Sequence, residues 1–204
     1  MTTSDAGSAP VQQRAWQTRA RILDGAVDAL VELGYAGATT SAVLARSGVS
    51  RGSLLHQFRS KDELLVAAVG HLAEARTADL LAELVPPVGD DSVDRAVETL
   101  WSSLHGPLFT ATVELWVAAR TNPTLREVLA PEERRIGAVI REAIATVFGA
   151  EHAASPRFAQ LSATLWSSMR GTAVTYFFDP RDPRREPLLP VWKQLAHEVL
   201  GCVA

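Results

Sequence analysis

Cysteine is almost absent. Cys202 is the only one in 204 residues, which excludes an internal disulfide and a thiolate metal cluster. Long apolar runs are missing too. The longest covers residues 64–70, far short of the roughly 20 residues a membrane helix needs. The opening stretch, MTTSDAGSAPVQQ, is small and polar, with an acid at Asp5 and no apolar centre. It reads as a disordered leader over residues 1–13, not a signal peptide, and a cytoplasmic location is the resulting expectation. There is no H-E-x-x-H, no P-loop and no dinucleotide glycine fingerprint. His71, His105, His152 and His197 are scattered, and His71 with Glu74 runs in the opposite order to the E-x-x-H of di-iron bundles. The sequence therefore predicts no enzyme, no metal and no cofactor.

What is present is a helix former's composition, 47% hydrophobic and 21% charged, ample for a core. Helical periodicity runs nearly throughout, and no segment alternates as a strand would. A first helix is expected over residues 17–33, with Ile22, Ala26, Leu30 and Leu33 on one face and Gly34 ending it. Thr40 is the expected N-cap of a short helix to residue 47, which Gly48 stops, and Ser50 that of a third over 51–58. Ser60-Lys61-Asp62-Glu63 reads as a capping box opening a long helix from 61 to about 85. Pro86-Pro87-Val88-Gly89 then marks a boundary. Further helices are expected over 92–106, 107–120, 123–148 (either continuous or broken at Pro131), 157–178 and 188–201. Asn122-Pro123 and Ser155-Pro156 both read as an N-cap followed by proline. The fold class is all-α, with about nine helices.

Charge is unevenly spread. The net charge is −3, which alone argues against nucleic acid. Yet residues 14–61 carry seven cations against three acids, a net +4, and residues 62–204 carry −6. A basic head on an acidic body fits a chain in which only the head meets phosphates. In that head, three short helices precede a long one, with the tight turn Ser47-Gly48-Val49-Ser50 between the second and third. This is the helix-turn-helix order. Gly48 supplies the positive φ of the turn, and Val49 is expected to plug the core. At about 100° per residue, Leu54 and Phe58 face inward and Gly52, Leu55 and His56 outward. Ser53 and Gln57 then lie on one flank and Arg51 on the other, a face suited to a major groove. Gly48-Val49-Ser50-Arg51-Gly52 also matches the G-x-S-x-G nucleophile elbow, but that motif needs a preceding strand, and a helix precedes it here.

The run TTSAVLARSGVSRGSLLHQFRSKDELL, residues 39–65, with Ile22, Ala26 and Gly34-Tyr35 upstream, resembles the signature of the TetR (tetracycline-repressor-like) family of transcriptional regulators. The resemblance implies a DNA-binding domain over residues 14–61 and a regulatory and dimerisation domain over 62–204. It also implies a homodimer on a palindromic operator, acting most often as a repressor that a small-molecule effector releases. The DNA-contacting set is then Thr40, Ser50, Arg51, Gly52, Ser53, Leu55, His56, Gln57 and Lys61. Lys61 matches the family's phosphate-contacting lysine, and the helix start beside it favours an anion in any case. Ser50 and Ser53 either donate to phosphates or, for Ser50, only cap a helix. Arg51 reads guanine, holds phosphate or stays solvated. The family usually has tyrosine at the position of Leu55 and often histidine at that of Gln57. Leu55 either meets a thymine methyl, is merely tolerated there, or packs sideways on the first helix.

In the body, Trp101, His105, Phe109, Glu114, Trp116 and Trp166 fall on helices that surround the family's ligand cavity. Aromatic residues at helical spacing are equally ordinary core. Leu161, Leu165, Met169 and Thr172, with Ser162 and Ser168 as small neighbours, recur at helical spacing. They suit a four-helix dimer interface, or else meet the body of their own subunit.

Overall fold

The computed structural model describes residues 8–83 and 92–201. Among them the chain is all-α: α1 (Ser8–Gly37), α2 (Thr40–Ser47), α3 (Arg51–Gln57), α4 (Lys61–Glu83), α5 (Ser92–Ser103), α6 (Pro107–Ala119), α7 (Pro123–Phe148), α8 (Ala150–Ala153), α9 (Phe158–Thr175) and α10 (Leu189–Leu200), with a 3-10 turn at Pro183–Arg185. The boundary expected at residues 86–89 and Cys202 lie outside the described residues. No helix among the described residues is long and apolar enough to cross a membrane. The chain divides into two compact units, Met1–Ala73 with Thr110–Glu132, and Glu74–Phe109 with Glu133–Ala204.

The first unit is built on α1. Ile22, Leu23, Ala26, Ala29 and Leu30 are buried at the three- and four-residue spacing that gives a helix one apolar face. Val43, Leu54, Phe58, Leu64 and Leu65 are buried in the same unit, and each large side chain so enclosed contributes about 1.5–3 kcal/mol. Three expectations need correction here. Leu33 is 46% exposed: Gly34, at φ 67°, breaks the helical path directly after it. The helix begins at Ser8, not at residue 17, so residues 8–13 of the expected leader are helical. The cap of α2 is Thr39, whose hydroxyl accepts the Ala42 N–H, and Thr40 is the first helical residue.

In the second unit, α5 buries Val93, Ala96, Val97, Leu100 and Trp101, and α10 buries Trp192 and Ala196. Across these two helices, His197 Nε2 lies 2.8 Å from Asp94, and Lys193 reaches Asp94 at 3.2 Å and Glu98 at 2.5 Å. Helix α7 runs unbroken through Pro131. Helix α9 starts at Phe158, so Ser155 is not its cap; the Ser155 hydroxyl only accepts a long bond from the Arg157 N–H, 3.4 Å.

The expected interface stripe of α9 turns inward. Leu161, Leu165 and Met169 are buried within their own unit and Thr172 is half-buried, so the stripe is core and not a surface for a second copy. The opposite face presents Ala163, Ser167, Gly171 and Val174 to solvent. Leu165→Ala should accordingly destabilise the unit by about 2–5 kcal/mol through lost contacts and a cavity, read from the chemical-denaturation midpoint. A loss below about 1 kcal/mol would mean that this face is not core.

Candidate nucleic-acid interface

The turn between α2 and α3 is held from both ends. Gly48 is left-handed, φ 63°, and its N–H donates to the Leu44 carbonyl. A Cβ there would also sit 3.0 Å from the Arg21 guanidinium, which donates to the Ser47 carbonyl at 2.6 Å. Ser50 caps α3, its hydroxyl accepting the Ser53 N–H at 3.2 Å. The buried residue of the turn is Ser47; Val49, expected as the plug, is only half-buried. Leu54 and Phe58 anchor α3 inward, and the Arg19 guanidinium lies over the Phe58 ring at 4.7 Å.

The outward side of α3 is open. Arg51, Gly52, Leu55 and His56 are exposed, with Ser53 and Gln57 half-buried on its flank. A Cβ added at Gly52 would meet nothing within 4 Å, so the backbone there can be approached closely. Leu55 is 53% exposed, which rules out full packing against α1. Ser50 is exposed, and Thr40 is half-buried in the first turn of α2.

At the start of α4, Ser60 and Glu63 cap the helix: the Ser60 hydroxyl accepts the Glu63 N–H at 3.0 Å, and the Glu63 carboxylate accepts the Arg59 N–H at 2.9 Å. Lys61 next to them is engaged within the protein. Its ammonium donates to the Tyr35 carbonyl at 2.6 Å and lies 4.0 Å from the centre of the Tyr35 ring. The Tyr35 hydroxyl donates to Asp62 at 2.6 Å and accepts from the Asn122 side-chain amide at 2.9 Å, while the Tyr35 N–H donates to Glu114 at 3.0 Å. All of these residues belong to the first unit. Burial pushes the Lys61 ammonium down, against the pull of Asp62.

Residues 22–68, which hold the whole helix-turn-helix, match the family model described as bacterial regulatory proteins, tetR family. Over those residues the chain is similar to that family. Among its relatives is the HTH-type transcriptional regulator CymR of Pseudomonas putida, 28% identical over 189 residues that span 91% of this chain and 92% of CymR. A transcriptional regulator from Rhodococcus sp. Rha1 shares the fold, with a TM-score of 0.68 at 23% identity, over 90% of this chain and 96% of that one. The multidrug binding protein EbrR, in a crystal structure with ethidium, is 26% identical with a TM-score of 0.58, over 87% of this chain and 97% of EbrR. CymR and the Rhodococcus protein are transcriptional regulators. In this chain the serine of the G-x-S-x-G string is a helix cap.

The residues expected around a ligand are divided between the two units. Trp101, His105, Phe109 and Trp166 lie in the second unit, whereas Glu114 and Trp116 lie in the first. Glu114 is already committed to the Tyr35 N–H, and Trp116 is half-buried. Trp101 is buried and its indole N–H donates to the Pro183 carbonyl at 2.8 Å. Its ring meets those of His105, Trp192 and Tyr176 at 4.3, 5.0 and 5.6 Å. Phe109 stacks on Phe177 at 5.9 Å, and Arg170 lies 5.9 Å from the half-buried Trp166 ring. His105 Nδ1 is 2.9 Å from the Trp101 carbonyl, and since a carbonyl only accepts, Nδ1 carries the proton. Nε2 is left as a buried acceptor without a partner. Burial pushes the His105 pKa down, which favours that neutral form.

Sequence reasoning missed the cluster around Tyr35 and the pairing of Tyr176 with the buried Glu186, 2.7 Å. The one signal available was Gly34-Tyr35 directly after the first helix. These two are the only tyrosines in the chain, and each is pushed up to about 12, first by burial and then by the carboxylate it donates to. A raised pKa means that the native state holds the proton where the unfolded chain, near 10, loses it. The stabilisation is therefore whole below pH 10 and lost as pH rises through 12. Titrating the tyrosinate absorbance should show almost no ionisation of the native protein at pH 10.5, while the chain in denaturant is more than half ionised. Tyr35→Phe should remove one of the two late-titrating groups. A native transition near pH 10 would refute both hydrogen bonds.

Proposed function

We propose that this chain is a ligand-responsive repressor that binds a palindromic operator as a homodimer in the cytoplasm and is released by a small molecule. The observation that carries the DNA-binding part is the outward face of α3: Arg51, Gly52, Leu55 and His56 are exposed on a helix fixed at both ends by Ser50 and Phe58. Arg51 and His56 supply polar readout, Gly52 lets the backbone come close to the groove, and Ser50, Ser53, Thr40 and Gln57 contact its walls. Lys61 contacts phosphate with the ammonium hydrogens that Tyr35 leaves unused. The division of roles runs at residue 61, with reading before it and regulation after it. Selecting bound sequences from a random duplex pool tests the reading, because a palindrome with two half-sites is expected and a sequence-independent pool would reject it.

Leu55 sharpens the test. An exposed leucine on the reading face is suited to a thymine methyl, a contact worth about 0.8 kcal/mol. Replacing the contacted thymine by uracil should therefore weaken wild type several-fold, and Leu55→Ala should abolish that sensitivity. Equal sensitivity in both proteins would remove Leu55 from base readout.

The dimer surface we assign is the solvent face of α9, not the buried stripe. Ala163, Ser167, Gly171 and Val174 lie on one side of that helix, and a Cβ at Gly171 would meet nothing within 4 Å. Phe178, 78% exposed, and Val191 of α10 add exposed apolar area in the same unit. Small residues let two such helices approach closely. Gly171→Glu should convert a dimer to monomers in sedimentation and abolish operator binding. A wild-type monomer with full operator affinity would overturn the assignment.

For the effector, Trp101, His105, Phe109 and Trp166 remain the proposed contacts. The support is the bare His105 Nε2, an acceptor that a ligand donor would satisfy, together with the ethidium complex of EbrR. Glu114 and Trp116 are left out of the set. The effector acts by favouring the state that does not bind DNA, and only as far as its preference for that state allows.

A further inference from the structure

Trp16 is 66% exposed, yet it does not belong to the solvent side of α1. Arg19 and Leu23 follow it by three and seven residues, which puts all three on one side of the helix. Leu23 is buried in the core, and Arg19 lies over the ring of Phe58, the residue that ends α3. Trp16 therefore continues the inward stripe of α1 past the end of the core, beside the C-terminal end of the reading helix. Over residues 8–23 the helix carries Arg14, Arg19 and Arg21 and no acid. Arg14 and residues 13–17 around it are exposed.

We propose that this overhang is a second DNA-binding element, in which Arg14 and Trp16 grip the phosphodiester backbone flanking the sequence that α3 reads. The guanidinium pairs with a phosphate. The indole lays its ring against deoxyribose and offers its N–H to a phosphate oxygen. Charge decides the occupant: three cations without an acid repel a second copy of the same surface and attract a polyanion. The overhang also lies beside the end of α3, where Arg19 covers the buried Phe58 and Arg59 is exposed. The inference rests on the DNA-binding reading and extends its footprint beyond the groove that α3 occupies.

The test uses the full chain and a duplex selected from the random pool, in two lengths: one trimmed to the half-sites, one extended by a helical turn at each end. Wild type should bind the extended duplex several-fold tighter and with a steeper dependence of log K on log salt, by about one unit per flanking contact. Arg14→Ala and Trp16→Ala should bind the trimmed duplex as wild type does and lose the gain from the flanks; Trp16→Phe should keep part of it. Equal affinity of wild type for both lengths, or a flank gain that survives in both variants, overturns the proposal. So does a Trp16→Ala protein with a lower melting temperature or an altered oligomeric mass, because the ring would then serve the core or a second copy. Failure of wild type to bind any selected duplex is a different result and would defeat the regulator reading itself.

Discussion

The DNA-reading half of this molecule depends on how α1 ends. Gly34 takes φ 67°, and a side chain there would be strained and would put its Cβ 3.0 Å from a Glu114 carboxylate oxygen. The reversal delivers Tyr35 to a place where its N–H, carbonyl, ring and hydroxyl all find partners: Glu114, Lys61 twice, and Asp62 with Asn122. Three of those partners are charged and only partly exposed, so each loses water that the others must replace. Hydrogen bonds to charged groups return roughly 1.5–3 kcal/mol each, less where solvent screens them. The result fixes where α4 begins relative to α1. Since α3 is joined to α4 by only three residues and holds itself inward by Leu54 and Phe58, the aim of the reading face inherits its accuracy from that node.

The same geometry bears on what Lys61 can do. An ammonium has three donors, and one is spent on the Tyr35 carbonyl. The tether lowers the entropy that Lys61 would otherwise lose on meeting a phosphate, at the cost of partial desolvation, which is what pushes its pKa down. A lysine held in this way is a positioned charge, and its worth to an anion depends on Tyr35 as much as on itself.

What could be read in the sequence was local. Gly48, the Ser50 cap, the Ser60–Glu63 box and the Asn122-Pro123 start each involve residues within a few positions of one another, and each was legible because the chemistry and the spacing coincide. Tyr35 and Asn122 are 87 positions apart, and no local pattern pairs them. The α9 stripe shows the limit of periodicity: a spacing of three and four tells which side chains share a face, not what that face meets. Leu161, Leu165 and Met169 share a face whose partner the sequence leaves open between a second copy and their own subunit, because a core face and an interface face both need apolar residues. The early start of α1 had no signal, since small polar residues of the kind found before residue 17 suit a leader as well as a helix.

Leu55 is the residue at which family and chain part, and the structure narrows its meaning. A leucine packed on α1 would be paid for by folding; at 53% exposure most of that gain is not collected in the free protein. The tyrosine usual at this position would bring a hydroxyl able to bond phosphate or base, whereas leucine can offer only shape and dispersion. Its neighbours on the outer face are a cation, a glycine and a histidine, so the exposed side-chain hydrogen-bonding groups beside it are those of Arg51 and His56. A head with few donors discriminates weakly at each base pair and needs energy from elsewhere. In the reading proposed above that energy is cationic: Lys61 and the arginines of α1 would seek phosphate without regard to sequence, and binding would depend more on salt than on any single base contact.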